Sequence, residues 1–176
     1  MEHTLLTLLM VTTVLMAAVT DLRSYKIPNW LTLSAMAIGL FGHAFIDGLP
    51  GVLVSVKGLG VGLALFLILY ATGGMGAGDV KLLGAIGSII GADGVFSAGI
   101  MAILLGGLYA IATMISFWGL RTSLKHITSI LRTCILTGTT FSALSSPKEQ
   151  PQLRYGLVIG LGTLTSQWLK GPFFSF

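Results

Sequence analysis

The chain has 176 residues, of which 54% are hydrophobic and only 9% charged, where a soluble domain carries about 25% charged residues. That balance excludes an ordinary water-soluble globule, and it excludes disorder, which needs low hydrophobicity and high charge. The net charge of +4 comes without a basic patch interleaved with aromatics, so it argues for membrane topology signals rather than for nucleic acid.

The apolar runs predict an all-α, polytopic membrane protein with six spans. The first covers residues 4–20. Met1-Glu2-His3 supplies no basic region before it, so a retained span is expected rather than a cleaved signal peptide. The second covers 30–46 and ends near the turn Asp47-Gly48-Leu49-Pro50. The third covers 52–71 and is followed by a glycine-rich break, Thr72-Gly73-Gly74-Met75-Gly76-Ala77-Gly78. The fourth is short, 80–90. The turn Gly91-Ala92-Asp93-Gly94 precedes the fifth, 94–120, and the sixth covers 155–169. At roughly 20 residues per span, little remains for a separate soluble domain, so residues 1–176 read as one membrane-embedded unit.

Between the last two spans, 121–154 differs in character. Arg121, Lys125, His126 and Arg132 alternate with Ile127, Ile130, Leu131 and Ile135 at helical spacing. An amphipathic helix on the membrane surface fits this pattern. A further span from Ile127 to Leu144 is the alternative, and it would bury Arg132 in lipid at a cost of a few kcal/mol. The six-span arrangement puts Arg23, Lys26, Lys81, Arg121, Lys125, Arg132, Lys148 and Arg154 on one side and Lys57 and Lys170 on the other. The basic side is then cytoplasmic, and both termini face outward. Glycines spaced by four, such as Gly58 and Gly62, Gly87 and Gly91, or Gly156 and Gly160, read as close helix contacts in lipid.

Of the six acidic residues, Asp47 and Asp93 sit in turns, where Asp is common, and Glu2 and Glu149 lie in polar flanks. Asp21 and Asp79 differ. They are 58 residues apart, yet the topology puts them on the same membrane face at similar depth, and a carboxylate at the edge of hydrocarbon usually marks function. Either could instead be structural, one ending a helix and the other favoured by a helix dipole. As a pair they suit peptide hydrolysis. Two close carboxylates share one proton and can act as base and acid toward water and the scissile amide. Gly76 and Gly78, lacking a Cβ, let a backbone come close. Other protease chemistries lack their signatures: there is no HExxH, and the single cysteine, Cys134, makes no thiolate zinc site. No nucleotide-binding glycine motif occurs, and no metal or cofactor is implied.

Two segments carry a resemblance. Asp21-Leu22-Arg23-Ser24-Tyr25-Lys26-Ile27-Pro28-Asn29 and Gly76-Ala77-Gly78-Asp79-Val80-Lys81 together resemble the type IV prepilin peptidases, a family of GxGD membrane aspartyl proteases. The resemblance implies that Asp21 and Asp79 are the catalytic pair. It also implies a substrate, the short basic leader of prepilins and pseudopilins, cut at the cytoplasmic face of the bacterial inner membrane. The chain lacks the paired CxxC region of bifunctional members and is closer to the compact peptidases of tight-adherence (Flp) pilus systems, so methylation is not expected. Supporting or substrate-loop roles are expected for Gly76, Gly78, Lys81, Lys26, Pro28, Asn29 and Tyr155. Tyr155 stands where the family often has Pro before an aromatic residue. The rivals are a GxGD protease with other substrates, a proton-coupled transporter, and a non-catalytic secretion-assembly subunit.

Overall fold

The computed structural model describes residues 2–71, 75–118 and 155–169. All are helical or in short connections, and they form four helices: α1 (Glu2–Ser24), α2 (Asn29–Ala71), α3 (Ala77–Trp118) and α4 (Tyr155–Leu169). The surface-helix segment 121–154 and the first residues of the glycine run, 72–74, lie outside the described residues. Among the described residues, α1, α2 and α3 are long and apolar enough to cross a membrane.

α2 and α3 are each two helical segments joined at a glycine. A straight helix of 43 residues would be about 65 Å long, roughly twice the hydrocarbon thickness. Instead α2 breaks at Gly48 (φ 63°, ψ −137°) and α3 at Gly91 (φ 74°, ψ 179°), backbone settings that only glycine adopts without strain. Pro50 follows the first break, where its missing N–H costs little at a helix start.

Both breaks reverse the chain, as the neighbours across the segments show. Residues 29–47 run parallel to 77–90: Asn29 meets Lys81, and His43 meets Ile89. Residues 49–71 run antiparallel to 77–90, with Ser55 on Ser88, Gly58 on Gly87 and Gly62 on Leu83. α4 runs antiparallel to both α1 and the second part of α3, through Gly160 on Val14 and Gly162 on Ala102. Six helical segments therefore alternate in direction.

The segment 77–90 is the centre of the bundle. Leu82, Leu83, Ala85, Ile86 and Ile89 are fully buried, and a helix apolar on every side belongs in the interior. Its neighbours approach so closely that Gly58 and Gly87 touch backbone to backbone, with no room for a Cβ on either. The outer faces carry Leu5, Phe45, Ile68, Leu104 and Leu108, all exposed, as suits contact with lipid.

The last carbonyls of a helical segment lack partners. At the end of 77–90 they are capped from α2. His43 Nε2 lies 2.9 Å from the Ile89 carbonyl and must carry the hydrogen, since a carbonyl only accepts. Ser55 Oγ donates to the Ser88 carbonyl at 2.8 Å. One cap comes from each side of the Gly48 reversal, so this end of the central segment is clamped.

Candidate active site

The opposite end of the bundle collects the C-terminal end of α1 and the starts of α2, α3 and α4. Just past the end of α1 comes Tyr25, a non-glycine residue with φ 52°, whose N–H donates to the Asp21 carbonyl at 3.0 Å. The chain then passes through Lys26-Ile27 to Pro28, and a residue before proline is kept out of helical conformation. α2 starts immediately after, with the Leu31 N–H on the Pro28 carbonyl at 3.1 Å.

This connection rests on the start of α3. Buried Ile27 lies against the bare α-carbon of Gly78, where a Cβ would stand 3.4 Å from the Ile27 Cβ. Lys81 Nζ donates to Asn29 Oδ1 at 2.9 Å. The two sequence segments that carry the resemblance thus meet at two points. Asn29 uses its side-chain oxygen across the helices, on Lys81. Lys26 is exposed, and Pro28 is half-buried.

Asp79 is the third residue of α3. Its Oδ2 accepts from the Gly76 N–H at 3.1 Å, and its own N–H donates to the Gly76 carbonyl at 3.1 Å. This reciprocal pair satisfies donors that a helix start leaves open. It also fixes the carboxyl at the mouth of the central segment, 9% exposed. A Cβ on Gly76 would sit 3.3 Å from that same oxygen.

Asp21, in the last turn of α1, is 5% exposed. Its Oδ2 accepts from the Gly156 N–H at 2.9 Å, and the Leu157 N–H approaches the same oxygen at 3.4 Å. The carboxyl therefore sits on the N-terminus of α4, where open amides and the helix dipole favour an anion. Asp21 and Asp79 lie within Coulombic reach of each other, and the half-buried Tyr155 phenol within Coulombic reach of Asp79. The Tyr155 ring packs against Gly106 on the second part of α3.

The sequence-predicted residues are thus brought to one corner, apart from Lys26, which points outward. Gly156 was not among them, because its spacing from Gly160 reads as helix packing. Gly160 does face Val14, but Gly156 faces the Asp21 carboxyl. Only a glycine at the start of the last apolar run hinted at it. Among the described residues, no three His, Cys, Asp or Glu side chains come together.

The arrangement is that of a helical membrane protein with two interior carboxyl groups, delivered by separate helices to one end of the bundle. A more particular assignment follows from comparison: the chain belongs to the type IV leader peptidase family, whose model matches residues 8–111. That stretch includes Asp21, Asp79 and the Ile27–Gly78 and Asn29–Lys81 contacts, and it stops before α4. The prepilin leader peptidase/N-methyltransferase of Bacillus subtilis (strain 168) is 28% identical over 104 residues, which cover 58% of this chain and 42% of that protein. The chain therefore spans less than half the length of this relative. No solved structure matches the chain.

Proposed function

We propose that the protein is a membrane-embedded aspartyl endopeptidase that removes the short leader of type IV, Flp-like prepilins and pseudopilins. The bundle crosses the bacterial inner membrane six times, with the Asp21–Asp79 corner facing the cytoplasm. Family membership supports the substrate class, and the excess of Lys and Arg in the loops at this end supports the orientation. The observation that carries the reading is the convergence of Asp21 and Asp79, buried at one end of the bundle and within Coulombic reach.

In this mechanism water is the nucleophile. One carboxylate takes a proton from water as its oxygen adds to the scissile carbonyl. The other, protonated, gives its hydrogen to the amide nitrogen as the C–N bond breaks. The dyad ends with one shared proton, as it began. The apolar helix of the substrate docks among the spans, and its leader junction lies extended beside Gly76 and Gly78.

A proton-coupled transporter would need acids along a path through the bundle. Among the described residues, Asp47 and Asp93 sit near the two reversals at the far end, and Asp93 is exposed. Among the described residues no acidic side chain lies between the two ends, which favours the peptidase.

The test is cleavage of a candidate prepilin by the purified chain in detergent or bilayers. Asp21→Asn and Asp79→Asn are each expected to lower cleavage by about 10²–10⁴-fold while the proteins stay folded, as judged by thermal melting. A folded variant that cuts at the wild-type rate would remove its aspartate from the mechanism.

A further inference from the structure

We propose that Gly156 is a positioning residue for Asp21: its bare α-carbon and its N–H let the start of α4 close directly onto the carboxyl and set where it points. This deepens the peptidase reading and rests on it.

The geometry is specific to glycine. A Cβ at position 156 would stand 3.0 Å from Asp21 Cβ, 3.1 Å from Cγ and 3.1 Å from Oδ2. All three are closer than ordinary contact; Cβ is fixed to the α1 backbone, and the carboxyl beyond it is held by the amides of α4. The Asp21 side chain is 5% exposed, and its Oδ2 is held by the Gly156 N–H at 2.9 Å with the Leu157 N–H behind it at 3.4 Å. A carboxyl caught between two amides of a helix start has its rotamer fixed by charge-assisted hydrogen bonds. An added methyl must shift either the carboxyl against its amides or the start of α4 against α1, by a few tenths of an ångström.

The same helix start carries Tyr155, within Coulombic reach of Asp79. Seating α4 therefore sets one aspartate and lays a phenol near the other. The anchor comes 135 residues after Asp21, beyond the stretch matched by the family model, so the Asp21 carboxyl is oriented by an element that neither sequence segment contains. A Cβ at Gly160, one helical turn further on, would be equally close, but to Val14 Cγ1 at 2.9 Å. The two glycines share one helix pair and differ in what they touch, so they can be separated by experiment.

The experiment compares Gly156→Ala and Gly160→Ala in the full chain, cutting one prepilin at varied substrate concentration. Gly156→Ala is expected to lower kcat by about 10–100-fold, the penalty of a sub-ångström to 1 Å misplacement of a reacting group, with KM within about threefold. Gly160→Ala is expected to lower the melting temperature without that selective loss of kcat. Equal effects of the two on kcat, or a change in KM alone for Gly156→Ala, would overturn the proposal. A wild-type chain that fails to cut would instead sink the peptidase reading.

A second measurement needs no activity and serves if Gly156→Ala does not fold. Asp21→Asn keeps an oxygen for the two amides, and Asp21→Ala removes it. The Asn variant should melt near wild type and the Ala variant about 3–6 °C lower, since buried amides are then left unpaired. Equal melting of the two would show that the helix start does not depend on the side chain, and the positioning role would fall.

Discussion

Gly87→Ala tests whether this bundle is held at a fixed separation by backbone contact. Gly87 lies on the central segment and faces Gly58 across the α2–α3 interface. A Cβ added at Gly87 would overlap the Gly58 carbonyl oxygen and stand 2.7 Å from its carbon and 3.3 Å from the Leu59 nitrogen. These are backbone atoms, so no side chain can swing aside. Restoring ordinary contact requires the two segments to part by at least about 0.7 Å, and overpacking on this scale costs about 1–3 kcal/mol. The shift also stretches the neighbouring Ser55–Ser88 bond, so the upper part of that range is expected. For a chain of this length the loss corresponds to a fall in melting temperature of about 3–10 °C, read by thermal unfolding in detergent. Asp79 lies on the same rigid segment, roughly 12 Å along its axis, so cleavage should fall by about tenfold or more as the carboxyl moves. Gly60→Ala is the matched comparison. It adds the same methyl on the facing helix, α2, where no atom of the described residues lies within 4 Å, and it should be neutral or gain up to about 1 kcal/mol through helix propensity. A Gly87→Ala protein that melts and cuts like wild type would refute the idea that backbone contact sets the helix spacing.

Two further outcomes follow from the reversals at the far end of the bundle. Gly48→Ala meets no atom of the described residues within 4 Å, so its expected loss of about 1–3 kcal/mol isolates the backbone strain of φ 63°, ψ −137°; unchanged melting would mean the turn relaxes to another conformation. Ser55→Ala leaves the buried Ser88 carbonyl without its hydroxyl donor and should cost about 1–3 kcal/mol, whereas Ser97→Ala, at an exposed hydroxyl bonded within its own helix, should change melting by less than about 0.5 kcal/mol. Equal losses at Ser55 and Ser97 would remove the clamp from the account of stability.

Composition and hydrophobic runs were enough to determine that the described residues are helical and apolar enough for a membrane, because those properties depend on which residues are present and in what short-range order. The turns at Asp47-Gly48 and Gly91-Ala92 were legible for the same reason: glycine and aspartate declare a break locally. The two motif segments were legible as a pair because acids are so rare in this sequence that Asp21 and Asp79 stand out. What the sequence left open was decided by packing. Spacing alone makes Gly87, Gly156 and Gly160 look alike, yet one meets a backbone, one a carboxyl and one a valine. The partner of the Asn29 side-chain oxygen is Lys81, 52 residues away. The partners of Asp21 are amides 135 and 136 residues further on. Such contacts follow from which helix faces turn toward each other, and no local pattern along the chain encodes that distance.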